Sequence, residues 1–520
     1  MIPLSEIEWG PIDAIGDKHF SDKWIEPSHV KRCLREQYWI VSGEKGSGKT
    51  AIRKALTDLY NDRFVAIAEV DFNRISFEPI YKNIKEIART TSLPLSITLS
   101  NYWQYAILVE IMNSCAQSRP ERYGNLAPRP GVKGRISLNE RILLSLEAAW
   151  NKIDEFTGVR SSPGAQQDDP VNLLATSGLS AEFLHDLSVF PLDSNFKRKK
   201  LEFFRRLRKE DDRAVVILDG FDQLKNDESH PDSINSVFSA LIDAIRSLQS
   251  DPELPDNLFV KAFIPHDRYL SLNLRDSDKV DTMHAEIRWT SESLRSFLAK
   301  RIEASGKVTG SGFANLWKQV LPEAVNNPVH ALSEDTFEFI LRHTMYRPRQ
   351  MQIHLESLKS DYTDQVIDPS MVPKSIAESS KRIAKYFIEE YKLDHPHLRD
   401  FIFMFRRKPN IMDFSAFRET LLTGVKRYHP NGYRMSIENK IDDLYAMGLF
   451  GILNFLQPQE ALGDKYLPPS KGSRKHYLDF FYREPHPSVS SILQDDDQIA
   501  IHPIFNDYAG LQVDSNLIVG

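Results

Sequence analysis

The sequence predicts an α/β protein built on a parallel sheet, continued by a helical segment and closed by a mixed helix–strand segment. Three observations predict it. Gly43-Glu44-Lys45-Gly46-Ser47-Gly48-Lys49-Thr50 has the spacing G-x-x-x-x-G-K-[ST]. A short β-branched run, Val215-Val216-Ile217-Leu218, ends in Asp219. Around these two, strand-length and helix-length apolar patterns alternate, as they do where crossover helices join parallel strands.

The first element is strand-like Tyr38-Trp39-Ile40-Val41-Ser42, which runs straight into the glycine-rich loop. A helix over 50–60 follows, with Ala51, Ile52, Ala55, Leu56 and Leu59 on one stripe. Strand, glycine loop and helix in that order make a phosphate-binding loop, or P-loop. Glycines let successive backbone N–H groups turn inward around an anion, and the helix start favours negative charge. Gly43, Gly46, Ser47, Gly48, Lys49, Thr50 and Ala51 are the candidate nucleotide-binding residues. Lys49 reaches the β- and γ-phosphates in this reading, and the Thr50 hydroxyl is a ligand of Mg²⁺. At average residue usage a chain of this length matches the spacing by chance roughly 0.02 times.

Further strands are predicted over 64–70, 215–219, 258–264 and 285–289, and a helix over 237–248. The 215–219 run is apolar throughout, which suits a strand covered on both faces of a parallel sheet. It ends in a carboxylate where such sheets place their ligands, at the carboxyl ends of strands. Asp219 is therefore the candidate Mg²⁺ ligand, acting through water or from the outer coordination sphere. Asp222 is the candidate that polarises the attacking water. Residues 116–196 interrupt the pattern as an insertion, with a Pro/Gly/Arg-rich stretch at 119–134, a flexible loop at 158–170, and helices around 138–156 and 181–187.

From residue 291 the pattern is helical, over 291–302, 333–343 and 349–359, the last opened by Arg347-Pro348-Arg349. Two amphipathic helices are expected over 413–422 and 436–447. Strand-like runs follow at 477–482 and 498–502, separated by a Pro/Ser/Asp-rich tip. Helix, helix and antiparallel ribbon is a winged-helix order. The domain division is 1–290 for the P-loop core, 291–375 for a helical lid and 376–520 for the winged helix.

Composition narrows the partners. The 520 residues carry a net charge of −6, so no global basic field holds nucleic acid. With only Cys33 and Cys115, a disulfide framework and a cysteine-rich zinc module are both excluded. The unremarkable N-terminus and the lack of an apolar stretch near the ~20 residues of a membrane helix point to a cytoplasmic protein. The expected nucleotide is ATP rather than GTP, although Asn-Lys-x-Asp spacings stand at Asn151–Asp154 and Asn439–Asp442.

Lys45-Gly46-Ser47-Gly48-Lys49-Thr50-Ala51, Leu218-Asp219-Gly220-Phe221-Asp222 and Glu286-Ile287-Arg288-Trp289, with Arg347-Pro348-Arg349 and Tyr445-Ala446-Met447-Gly448-Leu449, resemble those of a protein group. It is the bacterial P-loop ATPases related to the AAA+ and STAND nucleotide switches, and more distantly the archaeal Orc/Cdc6-type initiators. The resemblance implies an ATPase core, a lid and a winged helix whose relative positions change with nucleotide. It implies Arg349, with Arg347 second, as the lid arginine that senses the γ-phosphate. A role in bacterial stress or anti-phage defence is also implied by the resemblance alone. Two departures stand out. Gly220 follows the metal aspartate where AAA+ enzymes have glutamate, so Asp222 must serve or hydrolysis is slow. After the fourth strand stands Pro265-His266-Asp267-Arg268, which leaves His266, Asp267 and Arg268 open for the polar sensor position. Arg268 and Arg275 are the candidates for acting on a neighbouring subunit.

The helix over 436–447 would face duplex DNA in a winged helix, yet it carries Glu438, Asp442 and Asp443 against Arg434, just before it, and Lys440. Residues 401–450 hold eight Lys/Arg and five Asp/Glu, an excess worth non-specific, salt-sensitive binding at most. The expected function is a Mg²⁺-dependent, slowly hydrolysing ATPase switch that controls a homo-oligomer or a partner protein. A DNA-binding initiator or loader is the alternative, and a small-molecule kinase a third reading with no second-substrate signature.

Overall fold

The computed structural model describes residues 1–71, 85, 88, 94–126, 194–221, 231–272, 277–327, 332–392, 395–428, 437–455, 476–480 and 488–513. They form two compact units. One comprises Ser28–Lys45 and Lys49–Ile287; the other comprises Met1–Pro27, Gly46–Gly48 and Arg288–Gly520.

The first unit is organised by five strands: β1 (Ile40–Gly43), β2 (Ala66–Asp71), β3 (Ala214–Asp219), β4 (Leu258–Pro265) and β5 (His284–Glu286). Every pairing is parallel, and the order across the sheet is β2-β3-β4-β1-β5. All five predicted strands are present within a few residues of their predicted bounds. The six residues of β3 and the eight of β4 are buried throughout, as a strand covered on both faces requires. The Leu95–Ser118 helix packs on β2 and on the Pro231–Gln249 helix. It buries Leu99, Trp103, Ile107, Ile111 and Met112 in the same core as Phe203, Phe204, Phe238 and Leu241. Of the predicted insertion, 116–126 and 194–196 belong to helices Leu95–Ser118, Pro120–Tyr123 and Ser194–Glu210 and to the turn Gly124–Leu126. The rest of it lies outside the described residues.

A lysine sits inside this sheet. Lys261 of β4 is 2% exposed, and its Nζ donates to the Cys33 carbonyl at 2.9 Å and to the carbonyls of Arg35 and Tyr38. These carbonyls follow or end the Ser28–Leu34 helix, where helix geometry leaves acceptors without intrahelical donors.

In the second unit, a two-stranded antiparallel pair, β6 (Ala324–Asn327) with β7 (Leu332–Asp335), precedes the Thr336–Leu341 helix. The helix predicted over 333–343 is corrected at its start. Asp335 ends the strand, and its carboxylate accepts from the Glu338 N–H at 2.9 Å, so the helix begins only after this cap. The Ser291–Ala304 and Pro348–Asp361 helices agree with prediction, whereas the 21-residue Met371–Tyr391 helix was not foreseen.

Residues Met1–Pro27 were assigned to the sheet in the sequence division, but they group with this second unit. Leu4, Ile7 and Trp9 are fully buried beside Leu294, Leu298 and Leu355. Arg301 Nε and Gln352 Nε2 donate to the Trp9 carbonyl at 2.9 and 3.0 Å, and Lys359 Nζ to the Ile7 carbonyl at 2.8 Å.

The chain ends in a four-stranded antiparallel sheet of order β10-β9-β11-β8, from β8 (Ile411–Asp413), β9 (Phe450–Phe455), β10 (His476–Phe480) and β11 (Gln498–Ile501). Two corrections fall here. The first helix is Phe414–Tyr428, because 411–413 pair with β11 as a strand. The ribbon is formed by β9 and β10, not by the 477–482 and 498–502 runs with each other. β9 lies inside the sheet, paired with the edge strand β10 on one side and with β11 on the other, and β8 forms the second edge.

Candidate functional site

β1 delivers the loop. Trp39, Ile40, Val41 and Ser42 are buried, and the chain turns at Gly46 (φ +83°) and Gly48 (φ +108°), conformations that L side chains rarely adopt. A Cβ on Gly48 would meet nothing within 4 Å, so this backbone faces open space. Lys49 is 7% exposed, and its ammonium folds back on the loop, donating to the carbonyls of Gly43 at 2.7 Å and Glu44 at 3.2 Å. The Ser47 Oγ is buried without a hydrogen-bond partner among the described residues. Thr50 and Ala51 are half-buried on the first turn of the Lys49–Lys54 helix, which continues with wider i→i+5 turns through Ala55–Leu59. Glycine turns, an inward lysine and an unsatisfied hydroxyl suit an anion with several oxygens.

Gly46–Gly48 group with the second unit, and within it they meet two predicted motifs. The Arg349 N–H donates to the Gly46 carbonyl at 3.5 Å, and Trp289 Nε1 donates to the Ser47 carbonyl at 2.7 Å. A Cβ on Gly46 would lie 3.0 Å from Arg349 Cβ, so only glycine permits this approach. The two lid arginines differ. Arg347 Nη1 is paired with Glu390 Oε2 at 3.2 Å, and both side chains are largely buried. Arg349 Nε is buried with no partner among the described residues.

Asp219 ends β3 at 6% exposure, and the chain turns sharply at Gly220 (φ +88°). β4 lies between β3 and β1. Asp222 and Arg275 lie outside the described residues. Arg268 is buried.

Two features were missed by sequence reasoning. Arg53, one helical turn beyond Lys49, donates from Nε to Glu69 Oε2 at 2.9 Å and from Nη1 to Asp219 Oδ2 at 3.3 Å. The four-residue spacing to Lys49 was the available signal. The second feature is a hydrogen-bonded array across β5, β1 and the end of β4. His284 Nε2 lies 2.8 Å from Ser42 Oγ, Ser42 Oγ lies 3.1 Å from His266 Nδ1, and His266 Nε2 lies 3.7 Å from Glu286 Oε1. Burial, aided by the charges of His266 and Arg32, pushes His284 down to about 4, so it is neutral at ordinary pH. The Tyr269 ring stacks on it at 4.0 Å. Of the three residues left open after the fourth strand, His266 is the one bonded to the residue that precedes Gly43.

No family model matches the chain, and no curated protein matches it. Among solved structures it is similar to the Aeropyrum pernix ORC2 protein in its ADPNP–ADP complexes, at 11% identity over 95% of this chain and 98% of that one, with a TM-score of 0.29. A superposition that loose carries no argument about function. Among the described residues, no helix is long and apolar enough to cross a membrane.

Proposed function

We propose that the chain binds ATP with Mg²⁺, hydrolyses it slowly, and works as a nucleotide-controlled switch. The observation that carries this reading is the loop, with Gly46 and Gly48 at positive φ and Lys49 held at its mouth by the Gly43 and Glu44 carbonyls. Backbone N–H groups of Gly46, Ser47, Gly48, Lys49, Thr50 and Ala51 would cradle the phosphates. Lys49 would exchange its two carbonyls for phosphate oxygens. Thr50 and Asp219 would hold Mg²⁺, which neutralises charge on the β- and γ-phosphate oxygens. Asp222 is proposed to orient the attacking water. Arg349, bonded through its backbone to Gly46, is proposed as the γ-phosphate sensor, whereas Arg347 is already committed to Glu390. A contact made only with triphosphate supplies the difference between two states that a switch needs.

The three-part division at 290 and 375 belongs to this proposal, as does the winged helix. Helices Phe414–Tyr428 and Ile437–Ala446 followed by the β9–β10 ribbon support it. Its job is proposed to be contact with another copy or a partner protein. DNA reading is disfavoured by the Ile437–Ala446 helix. Glu438 and Asn439 are exposed and Asp442 and Asp443 half-buried, while Lys440 is 4% exposed and directed to His395 and the Phe401 ring.

The test is calorimetric ATP binding together with turnover, using Lys49→Ala as the control. Wild type is expected to bind ATP and turn it over slowly, indifferent to duplex DNA, and Lys49→Ala to lose affinity by about 100-fold or more, roughly the 2.7 kcal/mol of two charge-assisted hydrogen bonds. Equal binding by both proteins would overturn the reading.

A further inference from the structure

Arg53 bridges the ends of two strands from the loop helix. Its side chain is 16% exposed and that of Asp219 is 9% exposed, so the 3.3 Å pair is shielded from water. A guanidinium does not lose its proton in a protein, and Asp219 therefore carries a permanent positive neighbour. The same carboxylate is the one that the nucleotide reading assigns to Mg²⁺. A divalent ion beside Asp219 Oδ2 would sit within a few ångströms of that guanidinium, in a setting where like charges repel far more strongly than in water. The donor set for Mg²⁺ is thus partly engaged, by a cation belonging to the chain. Glu69, whose side chain is 42% exposed, offers Arg53 a second carboxylate at 2.9 Å.

We propose that Arg53 is a built-in counter-cation for Asp219, a positioning residue that holds the carboxylate aimed while no metal is bound. It yields the Asp219 contact and keeps Glu69 when Mg²⁺ enters. The inference rests on the nucleotide reading of the loop. It makes nucleotide binding tolerant of metal removal, because Asp219 is not left as a bare negative charge near the phosphates.

The experiment is calorimetric titration of the full chain with ADP, once in EDTA and once in saturating MgCl₂, for wild type, Arg53→Met and Glu69→Gln. The quantity read is the ratio of Kd in EDTA to Kd in Mg²⁺. Wild type is expected to show a ratio below about threefold, and Arg53→Met a ratio of about 30-fold or more, since the metal no longer competes with the guanidinium at Asp219 Oδ2 and metal-free ADP loses that positive charge. Glu69→Gln removes a carboxylate that competes with Asp219 for the guanidinium and is expected to lower the ratio toward one. An Arg53 that merely braces the strands would lower the melting temperature on substitution and leave the ratio where it was. Equal ratios in wild type and Arg53→Met overturn the proposal, as does a rise in Glu69→Gln, which keeps it testable if Arg53→Met fails to fold. Failure of wild type to bind ADP in either buffer would instead remove the nucleotide reading.

Discussion

Lys261 and Lys49 show what burial does to the same side chain in two settings. Lys49 is recognisable from its loop; Lys261 is hidden in Leu258–Pro265, which reads as an uninterrupted buried strand apart from this one residue. Its three carbonyl acceptors match the three N–H bonds of an ammonium, while burial pushes the group down to about 7. Lys261→Met would strip the Cys33, Arg35 and Tyr38 carbonyls of their donor, and we expect a loss of about 3 kcal/mol in denaturant unfolding. The pH dependence has a definite sign. An unfolded lysine titrates near 10.4, so between about 7 and 10 the unfolded chain holds a proton that the folded chain has released. Stability from this residue is complete above that window and is lost as pH falls toward 7. Wild-type stability should therefore rise from pH 7 to 9 relative to Lys261→Met; a flat difference would mean the ammonium stays charged throughout. At this scale the sequence revealed Lys49, Thr50 and Asp219 because their spacing is tied to one chemistry. Arg53, Ser42 and His284 stayed hidden because their partners, at Glu69, Asp219 and His266, are brought close only by the order of the strands.

Elements were legible where their apolar pattern had a period. Strands β1, β3 and β4 are runs of buried residues, β2 alternates buried Ala66, Ala68 and Val70 with more exposed neighbours, and the Pro231–Gln249 helix has a single stripe. The Leu95–Ser118 helix buries residues around most of its girth, from Leu99 and Tyr102 to Leu108 and Val109, so it shows no stripe to read. In the C-terminal sheet the apolar β9 run gave no clue to which neighbour it takes on either edge, and the ribbon was mispaired for that reason. The Phe414–Tyr428 helix contains Gly424, an apparent weak point, since glycine costs a helix about 1 kcal/mol relative to alanine. A Cβ there would lie 2.5 Å from Met404 Sδ and 2.9 Å from the Phe401 ring. Overpacking outweighs propensity, and Gly424→Ala is expected to destabilise by about 1–3 kcal/mol, read as a lower melting temperature. A gain in stability would show that Phe401 repacks freely. For the Ile437–Ala446 helix we expect Glu438→Gln to leave duplex affinity unchanged by fluorescence anisotropy. Any binding carried by Arg406, Arg407 and Lys408 should show a salt slope no steeper than about −3. Tighter binding by Glu438→Gln would put this helix against DNA after all.

Across the whole molecule, the sheet unit was legible from its two motifs, but the place of Met1–Pro27 was not. Its short turns at Leu4–Glu6 and Ala14–Gly16 have no periodicity, and its anchors are carbonyls rather than side-chain patterns. Three fully buried side chains, Leu4, Ile7 and Trp9, are worth roughly 6 kcal/mol of burial, so removing 1–27 should leave the second unit the weaker one. Limited proteolysis of the truncated chain is expected to cut within 288–520 before it cuts the sheet; the reverse order would show that the N-terminal segment is dispensable. The same strap has a consequence for how the protein is made. Leu4, Ile7 and Trp9 leave the ribosome ahead of the entire Ser28–Ile287 unit, but Leu294, Leu298 and Leu355, against which they pack, emerge only after it. At about 5–20 residues per second that delay is roughly 15–60 s, during which a tryptophan and two aliphatic side chains travel uncovered. A chaperone that shields nascent chains has a clear client in Met1–Pro27.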